Sequence, residues 1–139
     1  MEHDEVAELR RGVIRLSRRL RAERPADALS ANKIGVLAQL HNAGPSTPGD
    51  IAAAEHHQPQ SLTRIFNELQ QAGLISRERS ATDRRQFVLA ITAAGEQALT
   101  RDMAGRDAWL TSALAGLTRT ERQILAIAGP ILDRLAAEP

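Results

Sequence analysis

The chain has 139 residues, 42% hydrophobic and 25% charged, and its 18 Lys plus Arg nearly balance 17 Asp plus Glu, for a net charge of +1. One compact domain is expected at that length, burying roughly two-thirds of the surface of the unfolded chain. No cysteine is present, which excludes a disulfide framework, a thiolate zinc site, an iron-sulfur cluster and thiol-based redox sensing.

The aromatic residues are Phe66, Phe87 and Trp109, too few for the stacking platforms that bind single-stranded nucleic acid. The N-terminus is acidic and then basic, without the apolar run of a signal peptide, and no stretch approaches the ~18 apolar residues of a membrane span. A cytoplasmic location is expected, with no membrane partner. The balance of charge is uneven along the chain. Residues 9–24 hold seven arginines (Arg10, Arg11, Arg15, Arg18, Arg19, Arg21 and Arg24) against Glu23 alone, and a second cluster gathers Arg77, Arg79, Arg84 and Arg85. Such clusters mark where an anion can dock, although a merely solvated basic face fits the first equally well.

Val6, Leu9, Val13, Leu16 and Leu20 recur at alternating spacings of three and four, one apolar seam on a first helix of about 20 residues that Pro25 stops. So narrow a seam on a charged helix calls for a partner helix. Ser30 is placed to cap a second helix carrying Ile34, Leu37 and Leu40. Thr47-Pro48-Gly49-Asp50 then combines a capping hydroxyl, a proline at the first helical position and a carboxylate three residues after the cap, so a short helix starts there. After a break at Glu55-His56-His57-Gln58, Pro59 opens another helix whose apolar stripe is Leu62, Ile65, Phe66 and Leu69. Its opposite face shows Gln60, Arg64, Asn67 and Gln71, flanked by Ser61 and Thr63. Two short helices joined by a turn read as a helix-turn-helix. Arginine suits guanine and Asn or Gln suits adenine, although an ordinary amphipathic surface helix shows the same residue types.

The segment after this helix favours the DNA reading. Gly73 ends the helix, and segments 74–79 and 86–92 read as a β-hairpin, with Phe87, Leu89 and Ile91 alternating with Val88 and Ala90. The hairpin tip, 80–85, ends in Arg84 and Arg85, as a wing reaching the minor groove and phosphates requires. In that role Arg84 enters the groove, Arg85 contacts phosphate or the domain interface, and Asp83 orients the loop. Thr92 caps a fifth helix with the seam Leu99, Met103, Arg106, Leu110, Ala113 and Leu117, in which Arg106 is expected to pair with an acid or lie at the edge. Thr118 and Glu121 form a capping box for a sixth helix, which Gly129-Pro130 should kink. The terminal helices carry more apolar stripe than one small domain can cover, so a homodimer is expected.

In this order, the run PQSLTRIFNELQQAGLISR at 59–77, the wing DRR at 83–85 and the junction AITAAGEQAL at 90–99 resemble the multiple antibiotic resistance regulator (MarR) family, over nearly the whole chain. The fold class expected is mainly α: a single domain over 1–139, with a winged helix-turn-helix at 30–92, a two-stranded wing, and a helical dimerisation part from 1–25 and 93–139. The resemblance implies a homodimer reading a palindromic operator in double-stranded DNA. It also implies repression, relieved when a small phenolic or aromatic carboxylate effector binds between the dimer and DNA-reading parts. DNA contacts would come from Gln60, Ser61, Thr63, Arg64, Asn67, Asp83, Arg84 and Arg85. Arg15 and Arg19 lie one helical turn apart beside the first seam, where guanidinium groups against an apolar wall suit an aromatic carboxylate. In the family an arginine in this part of helix one holds such ligands, and Arg15 fits that place better than Arg19.

Two departures stand out. The wing commonly reads Asp-Pro-x-Asp-Arg-Arg, whereas Ser80-Ala81-Thr82 precedes Asp83 here. His56-His57 also replaces a small and β-branched pair, placing a ring where a valine generally packs. Neighbouring rings rarely point at one ion, so no metal site is expected. Nor is a cofactor or a catalytic residue: the histidines are His3, His41, His56 and His57, and no phosphate-binding glycine loop, G-x-S-x-G elbow or marked carboxylate pair exists. The alternative to a DNA-binding repressor is a small-molecule sensor that acts mainly through protein partners.

Overall fold

The computed structural model describes residues 1–139, which form six helices and one two-stranded sheet in two compact units. One unit is Asp27–Asp102, so it runs past Thr92 into the fifth helix; the other joins Met1–Ala26 to Met103–Pro139. No helix is long and apolar enough to cross a membrane.

The first unit contains α2 (Ala31–Ala43), α3 (Pro48–Ala54), α4 (Pro59–Gln71), β1 (Ile75–Arg79), β2 (Phe87–Ile91) and the start of α5 (Ala93–Ala115). The expected caps are present. Ser30 Oγ accepts the Lys33 N–H and Thr47 Oγ1 accepts the Asp50 N–H, each satisfying a donor that the first helical turn leaves free. The core takes Leu37, Leu40, Leu62, Leu69 and Leu89 from the predicted stripes and adds Val36, Ile51 and Ile75, all almost fully buried with Phe66 beside them, whereas Ile65 of the predicted α4 stripe is only half-buried. Each large apolar side chain so buried contributes about 1.5–3 kcal/mol. β1 and β2 pair antiparallel, from Ile75 opposite Ile91 to Arg79 opposite Phe87. Ser46 extends the sheet by a single bridge to Leu89, exchanging backbone hydrogen bonds of 3.0 and 2.8 Å. That bridge ties the entry to α3 to the hairpin.

The second unit contains α1 (His3–Ala22), the remainder of α5, and α6 (Arg119–Ala136), which starts on the Thr118–Glu121 capping box. α6 continues as helix through Pro130, whose missing N–H leaves the Ala126 carbonyl without its helical donor. Neither α1 nor α6 has a buried residue. Val6, Leu9, Val13 and Leu16 of the α1 seam, and Ile124, Ile127, Ile131 and Leu135 of α6, are all exposed.

Candidate nucleic-acid interface

α3 and α4 are joined by a turn whose geometry rests on His56. Its φ of 56° puts it in the left-handed region, where a side chain is strained but histidine is less disfavoured than most. The His56 and His57 N–H groups donate to the Ala53 and Ala52 carbonyls, at 3.2 and 2.8 Å, closing the end of α3. Both imidazoles are exposed. The sequence expectation of a ring packed between the helices is therefore corrected: Ile51 and Ala52 of α3 and Leu62 and Phe66 of α4 are the buried residues. His56→Gly removes the left-handed strain and is expected to stabilise the chain by up to about 1 kcal/mol. Thermal denaturation of the two proteins at one concentration checks this.

α4 turns Leu62, Phe66 and Leu69 inward and leaves Gln60, Ser61, Thr63, Arg64 and Asn67 exposed. All five residues singled out from the sequence thus share the solvent side of one helix. They are not equally unoccupied. Thr63 Oγ1 donates to the Pro59 carbonyl at 3.3 Å, and Arg64 Nε donates to Glu68 Oε1 at 2.7 Å. Glu68 also meets Lys33 Nζ at 2.9 Å through its other oxygen. The hydrogen bond from Arg64, followed by that from Lys33, holds the Glu68 carboxyl below the usual carboxylate range.

The wing is organised despite its unusual sequence. Ser80 Oγ accepts the N–H groups of Thr82 and Asp83, both at 3.3 Å, so a hydroxyl orders the turn where the family pattern has aspartate and proline. Asp83 Oδ1 accepts the Arg85 N–H at 3.0 Å, and the Ser80 N–H donates to the Gln86 carbonyl at 3.1 Å. Asp83, Arg84 and Arg85 are exposed on this loop.

A cleft of about 230 Å³ opens between α4 and the hairpin, bordered by Gln60, Thr63, Asn67, Arg77 and Phe87. A second, of about 350 Å³, lies along the hairpin itself and joins Arg77, Arg79, Arg84 and Arg85. Arg77 belongs to both. The sequence reading placed it in a basic cluster without a role, although its position diagonal to Phe87 across an antiparallel pair is a usable signal.

The helical unit has an apolar groove of about 480 Å³ lined by Val13, Leu16, Leu20, Met103 and Leu132, with Arg21 and Arg106 at its edges. Arg15 and Arg19 do not line it. Arg15 is exposed, and Arg19 pairs with Glu23 at 2.6 Å while lying 4.9 Å from the centre of the Trp109 ring. Arg106 Nη1 lies 2.8 Å from Met103 Sδ, half-buried at the edge of the seam.

Comparison with known proteins agrees with this geometry. The sequence profile of the MarR family matches residues 29–87. Over 132 residues the chain is 33% identical to the HTH-type transcriptional regulator Mb0904 of Mycobacterium bovis, spanning 95% of this chain and 92% of that protein. Over 86 residues it is 33% identical to the HTH-type transcriptional repressor MdtR of Bacillus subtilis, spanning 62% of this chain and 56% of that protein. Its structure matches that of a transcriptional regulator protein from Pseudomonas aeruginosa PA01, with a TM-score of 0.79 and 35% identity, covering 98% and 95% of the two chains. A six-helix chain with an arginine-tipped two-stranded wing and these relatives belongs to the MarR family of helix-turn-helix transcriptional regulators, which bind DNA and are not enzymes.

Proposed function

We propose that the chain acts as a homodimeric, sequence-specific repressor that reads a palindromic operator and is released by a small aromatic carboxylate. The observation that carries the reading is the shared solvent side of Gln60, Ser61, Thr63, Arg64 and Asn67 on α4, next along the chain to a wing tipped with Arg84 and Arg85. Amide and guanidinium groups on a helix suit base edges in the major groove, and arginines on a hairpin tip suit the minor groove. Asp83 keeps the wing loop in shape through the Arg85 N–H. Dimerisation is supported by α1 and α6, whose apolar stripes are uncovered within one chain. Two-fold symmetry then sets two half-sites about one helical turn apart. Repression is supported by the likeness to the repressor MdtR. The test is gel retardation of DNA from upstream of its own gene, alongside sedimentation. Specific retardation of a palindrome by a dimer is the expected result; binding that is salt-labile and indifferent to sequence overturns it.

The effector part rests on the groove of the helical unit, where an aromatic ring meets an apolar wall and a carboxylate meets Arg21 and Arg106. Such a ligand shifts DNA affinity only by favouring an arrangement that does not bind DNA, with a coupling of about 1–3 kcal/mol. Salicylate at high micromolar to millimolar levels, on the order of what so small a ligand achieves, is expected to release the operator. Arg21→Ala should abolish that release and Arg15→Ala should preserve it. The reverse result would return the ligand to Arg15, the position the family resemblance favours, with its neighbour Arg19.

A further inference from the structure

Arg77 stands in the middle of the candidate interface, and nothing in the function proposed above uses it. Its guanidinium carbon lies 4.1 Å from the centre of the Phe87 ring, a cation–π contact that fixes the end of an otherwise flexible side chain. No carboxylate pairs with it: nearby, Glu68 is taken by Lys33 and Arg64, and Glu96 by His41. An exposed, ordered and uncompensated positive charge is thus held where two clefts meet, one shared with Gln60, Thr63 and Asn67 of α4 and the other with Arg84 and Arg85 of the wing.

The geometry of B-DNA says what such a charge faces. Adjacent major and minor grooves are separated by one sugar-phosphate strand. A protein with its helix in the first groove and its wing in the second must straddle that strand, and a side chain between the two elements meets phosphate rather than base. We infer that Arg77 is a phosphate clamp: it grips the backbone between the grooves read by α4 and the wing, with Phe87 as the positioning residue that holds the guanidinium ready. The inference rests on the DNA-reading role proposed above and assigns Arg77 to affinity and register rather than to sequence choice.

The experiment measures affinity for a duplex selected by the parent protein from a random-sequence library, and for its single-base variants, between about 50 and 200 mM salt. Arg77→Gln removes one contact in each half-site of the dimer, so it is expected to lower the salt slope by about 1.8 and to weaken binding about sixtyfold at about 0.1 M salt, equally for every duplex. Arg77→Lys should keep the slope while losing part of the affinity, and Phe87→Leu should likewise keep the slope, because the charge remains but is no longer held. Melting temperature serves as the second readout. A purely structural arginine would move it and leave the slope alone, whereas a clamp leaves it near the parental value. Unchanged slope and affinity in Arg77→Gln, in a parent that binds and in which Arg84→Ala does lower the slope, overturn the clamp alone. Loss confined to particular base pairs would overturn it too, by making Arg77 a base reader. A parent that selects no duplex overturns the DNA-reading proposal and the clamp together.

Discussion

Gly95→Ala is expected to destabilise the DNA-reading unit by about 3 kcal/mol, because overpacking costs roughly 1–3 kcal/mol and a broken hydrogen bond about 1 kcal/mol more. A Cβ built at this position would sit 2.1 Å from the Leu74 carbonyl oxygen and 2.7 Å from Ile91 Cγ1. The first of these is backbone, so no rotamer change relieves it. Nor is that carbonyl free to retreat, since it accepts the Thr92 N–H at 3.1 Å. Beside it, Thr92 Oγ1 donates to the Gly73 carbonyl at 2.6 Å and accepts the Gly95 N–H at 3.1 Å. The start of α5 is therefore latched onto the α4–β1 turn through one threonine, at a distance only glycine permits. Alanine must push the helix away and break part of the latch. Thermal melts at one fixed protein concentration, which holds the mass-action contribution of any dimer constant, should show the loss as a fall in Tm on the order of 10 °C. A variant with parental stability would mean that the turn yields at little cost.

The same junction illustrates what the sequence reveals and where it stops. AITAAGEQAL marks the family by its pattern, yet only the approach of Leu74 explains why its glycine is needed. Periodicity and caps are local properties, so the apolar stripes of α2 and α4, the alternation in β2 and the hydroxyl caps at Ser30, Thr47 and Thr118 could all be read directly. Long side chains obey no such local rule. An arginine has several rotatable bonds and reaches partners a turn or a strand away, which is how Arg64 comes to Glu68, Arg19 to Glu23 and Trp109, and Arg77 to Phe87. For the same reason the groove beside α1 carries Arg21 and Arg106 rather than Arg15 and Arg19: its outline depends on where α5 and α6 run. Backbone strain is equally hidden from pattern, since the turn at His56 carries a left-handed residue without the glycine that would announce it.

Arg64→Ala and Asn67→Ala should each weaken operator binding by about 1–3 kcal/mol per half-site, concentrated at one or two base positions, as loss of a bidentate base contact demands. In a two-fold symmetric complex the same positions should respond in both half-sites. Asn67 is exposed on α4 with no intramolecular hydrogen bond from its amide, whereas Arg64 must first leave or share Glu68. That step is made easier by Lys33, which remains beside the carboxylate at 2.9 Å when Arg64 swings out. Glu68→Gln therefore separates the two residues. It weakens the restraint on Arg64 and removes a negative charge from the DNA-facing helix, so it should tighten binding in the parent and in Asn67→Ala, and tighten it less in Arg64→Ala. The pH dependence comes from the same pair. Arg64 and Lys33 hold the Glu68 carboxyl below its ordinary value, so the interaction is fully present above the usual carboxylate range and is lost only as pH falls through the depressed value. Between about pH 6 and 8 the Glu68 effect should consequently be flat, since unperturbed carboxylates titrate near 4. Affinities for operator variants mutated one base pair at a time settle the roles: uniform weakening across every variant would assign Arg64 and Asn67 to the phosphates and leave the readout of sequence to Gln60, Ser61 and Thr63.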